Sequence, residues 1–193
     1  MTDDRRVLGL IGCAAGGLEH IRTRLIAPAL HRGWSVAVTL TPAAATWLEA
    51  IGEIEQIERM TGYPVRSASR LPGEDSPHPE IDCYAVVPAT ANTVAKLALG
   101  IADNQALTQA CEALGGQRIP IVIFPRVNAA HANQPAWDQH LDALRRAGVH
   151  LVYGEQVWPL HTPRSSPGRE LPWPAIAEAI EEAMSSRPPI AAT

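Results

Sequence analysis

Three short runs gather small, hydroxyl, amide and cationic side chains just after apolar segments. The first, Gly12-Cys13-Ala14-Ala15-Gly16-Gly17, follows the apolar run Val7–Ile11. Small residues between a strand and a helix let backbone N–H groups approach an anion, and a phosphate suits such a loop. The same glycines also permit close packing of helix on strand. The second run, Thr90-Ala91-Asn92-Thr93, offers two hydroxyls and an amide at the start of a helical pattern. One of them suffices as an N-cap, which leaves polar groups over for a ligand. The third run is Arg126-Val127-Asn128, with His131 shortly after it. Asn128 can cap the segment that follows or bind a ligand, and Arg126 can pair on the surface or hold an anion.

Other chemistries are disfavoured by what is missing. The first loop lacks the GxGxxG spacing, and no Lys-Ser/Thr follows it as a P-loop requires. A dinucleotide site wants an acid at the end of the second strand, whereas Thr41-Pro42 stands there and the next acid is Glu49. A mononucleotide phosphate therefore fits better than NAD. His20, His31, His140 and His150 have no metal-ligand spacing, so no metal site is expected. The three cysteines, Cys13, Cys83 and Cys111, form no CxxC pair and suggest no disulfide framework. Lys96 reads as a solvated or subunit-contact residue. A net charge of −4 leaves no basic surplus for a phosphate backbone, which argues against a nucleic-acid partner. The run from Val7 to Ala15 is too short to span a bilayer and no signal-type segment is read, so a reducing, cytoplasmic setting is expected.

Those runs must be positioned by the elements around them. With 46% hydrophobic residues the 193-residue chain can bury a sizeable core. Strands are expected at Val7–Ile11, Trp34–Leu40, Cys83–Val87, Ile119–Phe124 and Val149–Tyr153. Between them, helical spacing runs over Leu18–Leu30, Ala43–Ile51, Glu53–Met60, Thr90–Leu99, Gln105–Leu114 and Trp137–Ala147. A final helix is expected over Ala175–Met184. Alternation of this kind predicts an α/β fold, a single doubly wound, Rossmann-like parallel sheet with helices on both faces. Ligands in such sheets sit beyond the C-terminal strand ends. Seventeen prolines punctuate the chain, and Pro42, Pro88 and Pro125 follow strands, marking that edge. No repeat or interdomain linker is seen, so residues 1–193 read as one domain with a Pro-rich extension over 159–193. The stretch 66–82 reads as a long loop.

The run from Pro88 to Asn104 resembles the Pro-Ala-Ser/Thr-Ala-Asn-Thr and Gly-Ile-x-Asp-Asn segments of the homo-oligomeric flavoproteins that contain FMN and decarboxylate cysteine derivatives, the phosphopantothenoylcysteine decarboxylase-like family. Supporting matches are Gly12-Cys13, where the family usually has serine at Cys13; Thr41-Pro42-Ala43-Ala44; Thr61-Gly62-Tyr63-Pro64-Val65; and Pro125-Arg126-Val127-Asn128 with Pro135. The resemblance implies FMN at the C-terminal sheet edge, near a subunit contact. Gly12, Cys13, Ala14 and Thr41 would hold its phosphate and ribityl chain, and Thr90, Ala91, Asn92 and Thr93 would approach its ring and the substrate. It further implies a lyase in which the flavin transiently oxidises a small carboxylated substrate so that CO₂ can leave. Asn128 would hold the carboxylate, Arg126 would stabilise negative charge, and His131 would touch the substrate.

Two departures from that pattern stand out. Position 74, where the cysteine decarboxylases carry a catalytic His, is Glu74, and the nearest candidate is His78. Arg126 and His131 replace aliphatic residues, and an arginine there resembles the flavin prenyltransferases, where it serves a phosphate-bearing donor. The expectation is thus an FMN-dependent decarboxylase with Asn128, Arg126 and His78 as catalytic candidates. Its alternatives are prenyl transfer or a non-catalytic flavin-binding regulatory subunit. The partners implied are a small carboxylated or phosphorylated substrate and further copies of the chain, as a trimer or a multiple of trimers.

Overall fold

Strict alternation along five strands sends apolar side chains to two opposite faces. These strands are β1 (Val7–Gly12), β2 (Ser35–Leu40), β3 (Cys83–Ala89), β4 (Ile121–Pro125) and β5 (His150–Leu151). All pair in parallel, in the order β2-β1-β3-β4-β5. The structure, a computed structural model, describes residues 5–165 and 168–186.

Leu8 and Leu10 of β1 share one core with Val36, Val38, Ala85 and Phe124. Over it lie α1 (Ala27–His31), α2 (Pro42–Ala50), α3 (Glu53–Thr61) and α8 (Trp173–Ser185). Ile11, Val86, Ile121 and Ile123 face the other core, covered by α4 (Ala91–Leu99), α5 (Gln105–Gly116) and α7 (Trp137–Arg146). A four-residue helix, α6 (Ala129–Ala132), follows β4. The chain leaves β1 towards β2 and returns to β3 on β1's other side, so the topological switch lies between β1 and β3. Ligand crevices of doubly wound sheets open there.

Several expected boundaries move. The segment from Leu18 to Leu30 is not one helix: a 3₁₀ turn (Leu18–His20) and a π turn (Arg22–Ile26) precede α1. Pro28 supplies the reason, since its ring would clash with the carbonyl four residues back in a regular helix and it has no N–H to donate. Pro88 does not end its strand. β3 continues through it to Ala89 over a cis Val87–Pro88 bond, and the register with β4 shifts between Val86 and Ala89. Proline cannot donate to the ladder, so regular pairing stops there. Pro125 likewise lies within β4, whereas Pro42 opens α2 as expected. β5 is shorter than expected, and the final helix begins earlier, at Trp173. In the loop after α3, Arg66 accepts from Leu40 N–H (2.7 Å) and donates to Val38 carbonyl (3.0 Å), extending the sheet edge beside β2. Residues 166–167 and 187–193 of the expected extension, with Pro167, Pro188 and Pro189, lie outside the described residues.

Candidate active site

Backbone hydrogen bonds tie the three polar runs into one edge. Cys13 N–H donates to Pro88 carbonyl at 3.2 Å, and Arg126 N–H donates to Ala89 carbonyl at 2.8 Å. Thr41 N–H donates to Gly12 carbonyl at 3.0 Å. The Gly12 loop, the start of α4 and the Arg126–Asn128 run are thus neighbours at the C-terminal ends of β1, β3 and β4, as their sequence positions predict.

The Gly12 loop is shaped by close approach. A Cβ on Gly12 would stand 2.8 Å from Leu40 and 2.9 Å from Leu18, so the strand exit passes between these side chains. Gly17 has φ +99°, and a Cβ there would meet Leu171 at 2.5 Å; both backbone conformation and space demand glycine. The N–H groups of Ala14 and Gly16 find no acceptor among the described residues, while Gly17 N–H donates to the Glu19 carboxylate at 2.8 Å. An oxyanion already sits on this loop, supplied by the chain itself. The Thr41 hydroxyl is also unspent.

Cys13 is buried, and burial pushes its thiol up to about 11 despite the Thr93 hydroxyl donating to Sγ at 3.3 Å. It is therefore a protonated thiol near neutral pH, not a nucleophile. Thr93 also shares a hydrogen bond with Thr90 Oγ1 (3.0 Å), and its N–H donates to that oxygen at 3.2 Å as the cap of α4. These hydroxyls join loop to helix internally. Ala91 is half-buried against the core, and the Asn92 amide is exposed with no partner among the described residues.

Asn128 resolves the choice between cap and ligand by permitting both. Its Oδ1 accepts from His131 N–H at 3.0 Å, capping α6. A backbone N–H can only donate, so Oδ1 must face it, and both Nδ2 hydrogens remain free for a carboxylate.

Arg126 is half-buried, with its Nε shielded and without a partner. Its guanidinium lies 5.0 Å from the Trp158 ring centroid and its Nη2 is 3.7 Å from where a Gly16 Cβ would stand. Burial, then the neighbouring Arg169, pulls its pKa below the ordinary value, with Glu19 opposing. Arg126, Asn128 and Trp158 line one cavity of about 230 Å³.

The two candidate histidines, His78 and His131, do not line this cavity, whereas His161 does. His78 is buried beyond the β2 edge, with Nε2 2.7 Å from Pro64 carbonyl and its ring edge-on to Tyr63. β1 and β3 lie between that edge and β4, so one chain does not bring His78 together with Asn128. His131 is exposed on α6. From sequence, Trp158 reads as covering either the site or a neighbouring subunit, or as surface packing; the structure sets it against Arg126, and Arg169, which sequence reasoning missed, joins it there. The contact of Trp158 with Arg126 joins positions more than thirty apart and leaves no periodic signal; only the tryptophan itself, in a loop-like segment, marks the place.

A family model described as Flavoprotein matches residues 2–185. The chain belongs to the Flavoprotein family. A cysteine/cysteine sulfinic acid decarboxylase from an unknown prokaryotic organism is 39% identical over 71 residues, 37% of this chain and 19% of that one. The coenzyme A biosynthesis bifunctional protein CoaBC of Escherichia coli K12 is 26% identical over 164 residues, 81% of this chain and 38% of that one. This flavoprotein thus spans well under half the length of these curated relatives. Among solved structures, the FMN-dependent cysteine decarboxylase TvaF from thioviridamide biosynthesis superposes with a TM-score of 0.66 at 23% identity, covering 94% of this chain and 99% of that one. A dodecameric FMN-dependent Ubix-like decarboxylase from Escherichia coli O157:H7 gives 0.62 at 17% identity, covering 96% and 98%. The flavoprotein expectation and the α/β fold expectation both hold.

The site fits FMN. The N–H groups of Ala14 and Gly16 and the Thr41 hydroxyl, unpaired among the described residues, suit a phosphate end, while Gly17 N–H is taken by the Glu19 carboxylate. The start of α4, with half-buried Ala91 and exposed Asn92, suits a planar ring that needs an apolar wall and few directed bonds. Among the described residues no cluster of His, Cys, Asp or Glu could hold a metal, and no helix is long and apolar enough to cross a membrane.

Proposed function

We propose that this flavoprotein is an FMN-dependent carboxy-lyase acting on a small carboxylated substrate, with a cysteine-type substrate as the first choice because relatives bear that name. The observation that carries the reading is Asn128: the α6 cap occupies its Oδ1 and leaves its Nδ2 donors unpaired among the described residues, and the residue lines a cavity together with Arg126. Gly12, Cys13, Ala14 and Thr41 would line the FMN phosphate and ribityl chain, and Thr90, Ala91 and Asn92 its ring, with Thr93 holding the loop to α4 from inside. When bound, FMN supplies a reversible two-electron acceptor. Asn128 Nδ2 donates to the substrate carboxylate and fixes it, and Arg126 places positive charge beside it. The buried Trp158 walls the cavity against water. These are preorganised donors in a partly desolvated site, where such groups act most strongly.

The working form is a homo-oligomer, trimer-based by resemblance and consistent with the dodecameric neighbour. Exposed Trp47, Ile51, Leu99 and Ile101 provide apolar surface for it. His78 enters catalysis only if another copy brings it to Asn128. The test is FMN-dependent CO₂ release from cysteine or cysteine sulfinic acid. Asn128→Ala should abolish release while FMN stays bound, and release at the wild-type rate refutes the assignment. Prenyl transfer is the second reading, because Arg126 lines the cavity beside Asn128. If Arg126→Ala leaves binding of a prenyl phosphate unchanged, that reading fails.

A further inference from the structure

A cavity of about 360 Å³ opens where the chain enters β4 and β5, at the sheet edge opposite the Gly12, Thr90 and Asn128 runs. The five residues of β4 hold the two edges roughly 16 Å apart. Apolar lining comes from buried Ala113, Ile121 and Val149 and half-buried Leu114, Ile119 and Pro120. Exposed Gln117, Arg118 and Arg146 supply polar lining, and no Asp or Glu lines the cavity. Positive charge near a helix C-terminus has an ordinary use, since it offsets the helix dipole. Arg146 lies in the last turn of α7, yet the carbonyls there are already met. Ala143 accepts from Ala147 N–H at 3.1 Å, Leu144 from Val149 N–H at 3.1 Å and Arg145 from Gly148 N–H at 3.0 Å. The same turn has a second cation in Arg145, which takes Asp142 at 2.9 Å. Neither Arg118 nor Arg146 has a side-chain hydrogen bond or ion pair among the described residues. Gln117 turns the chain at φ +50°, a region that glycine enters at less cost, although Gly115 and Gly116 directly precede it. A glycine at that turn would leave the cavity without an amide.

We propose that this cavity is a second ligand site, for a small organic acid whose carboxylate meets Arg118 and Arg146 and whose aliphatic or aromatic body covers the apolar lining. The planar guanidinium fork matches the two oxygens of a carboxylate. An inorganic anion would leave the apolar lining wet, and a neutral apolar molecule would leave both guanidiniums without a partner. The volume of about 360 Å³ is at the small end of ligand pockets, about 300–1,000 Å³, so the body is a single ring or a short branched chain. None of the lining residues belongs to the flavin edge, so the site does not depend on the flavin reading.

The test is calorimetric titration with 3-phenylpropionate, on FMN-free protein and on protein saturated with FMN. One site per chain is expected, with much weaker binding of acetate, which lacks the body, and of 3-phenylpropanol, which lacks the charge. Arg118→Gln and Arg146→Gln should each weaken binding roughly three- to tenfold, as for hydrogen-bonded charge pairs at an exposed rim. Arg145→Gln should leave it unchanged. All three side chains are exposed, so these substitutions spare the core. On unsubstituted protein, 3-phenylpropionate should slow phenylglyoxal modification of Arg118 and Arg146 but not of exposed Arg32, as read by peptide mass spectrometry. No saturable binding in wild type, or equal affinity in wild type and both cavity variants, overturns the proposal. So does acetate binding as tightly as 3-phenylpropionate. Loss of 3-phenylpropionate binding on FMN loading would place the probe at the other edge and overturn the assignment as well. If FMN itself does not bind, the flavin reading fails and the FMN-free titration still decides this site.

Discussion

Asn128→Asp separates the two duties of one side chain. Aspartate is as good an N-cap as asparagine, so its Oδ oxygen should keep the bond from His131 N–H now measured at 3.0 Å. Asn128→Ala removes that cap and should cost about 1 kcal/mol, an effect confined to the four-residue α6. Only the donors at Nδ2 disappear in the aspartate variant, replaced by a charge of the same sign as the substrate carboxylate. A hydrogen bond to a charged group contributes about 1.5–3 kcal/mol, and repulsion from the new carboxylate adds to the loss. Together they predict a fall in kcat/KM for CO₂ release of roughly a hundredfold or more. The assay compares flavin content, thermal melting and CO₂ release for wild type, Asn128→Asp and Asn128→Ala. Wild-type-like melting and FMN content with lost CO₂ release is the expected signature of Asn128→Asp. Refutation would come from an aspartate variant that decarboxylates normally, or from the two variants failing in proportion to lost stability.

Other outcomes follow from the same geometry. Gly17→Ala places a Cβ 2.5 Å from Leu171 at a φ of +99°; it should destabilise by at least about 1–2 kcal/mol, and an unchanged denaturation midpoint would contradict the loop geometry. Native protein near pH 8 should leave Cys13 unmodified by iodoacetamide, because burial holds its thiol at about 11, while half-buried Cys111 reacts first; peptide mass spectrometry reads the order. His78 is held below its ordinary pKa, mainly by burial. The unfolded chain then binds the proton more readily, so its contribution to stability is full above the ordinary histidine range and is lost as pH falls from about 6.5 towards the folded value. A His78→Gln variant should flatten this acid loss in urea titrations, and an unaltered pH profile would show that His78 is not its source.

Much of the framework was legible because its causes are local. Compact apolar runs located all five strands, and the Gly12, Thr90 and Arg126 runs fell at one edge because a parallel sheet aligns the C-terminal ends of its strands. Departures arose where distant groups decide. Pro88 reads locally as a strand exit, but β4 still pairs at Ala89, so β3 runs on. Thr93 reads as a ligand residue, yet its hydroxyl turns inward to a thiol eighty positions earlier in the chain. Arg169 and Trp158 have no pattern of their own; their place over Arg126 depends on how the extension crosses the sheet edge. His78 sat at nearly the right sequence distance, but the hydrogen bond to Pro64 and the Tyr63 ring hold it beyond β2.

The central claim is that the edge formed by Gly12–Gly17, Thr41 and Thr90–Thr93 holds FMN. Titrating FMN with the purified 193-residue protein and following flavin fluorescence tests it most directly. The account predicts saturable quenching that ends at one FMN per chain and is weakened by Gly17→Ala under conditions where that variant stays folded. FMN that keeps its free-solution fluorescence at every protein concentration would contradict it.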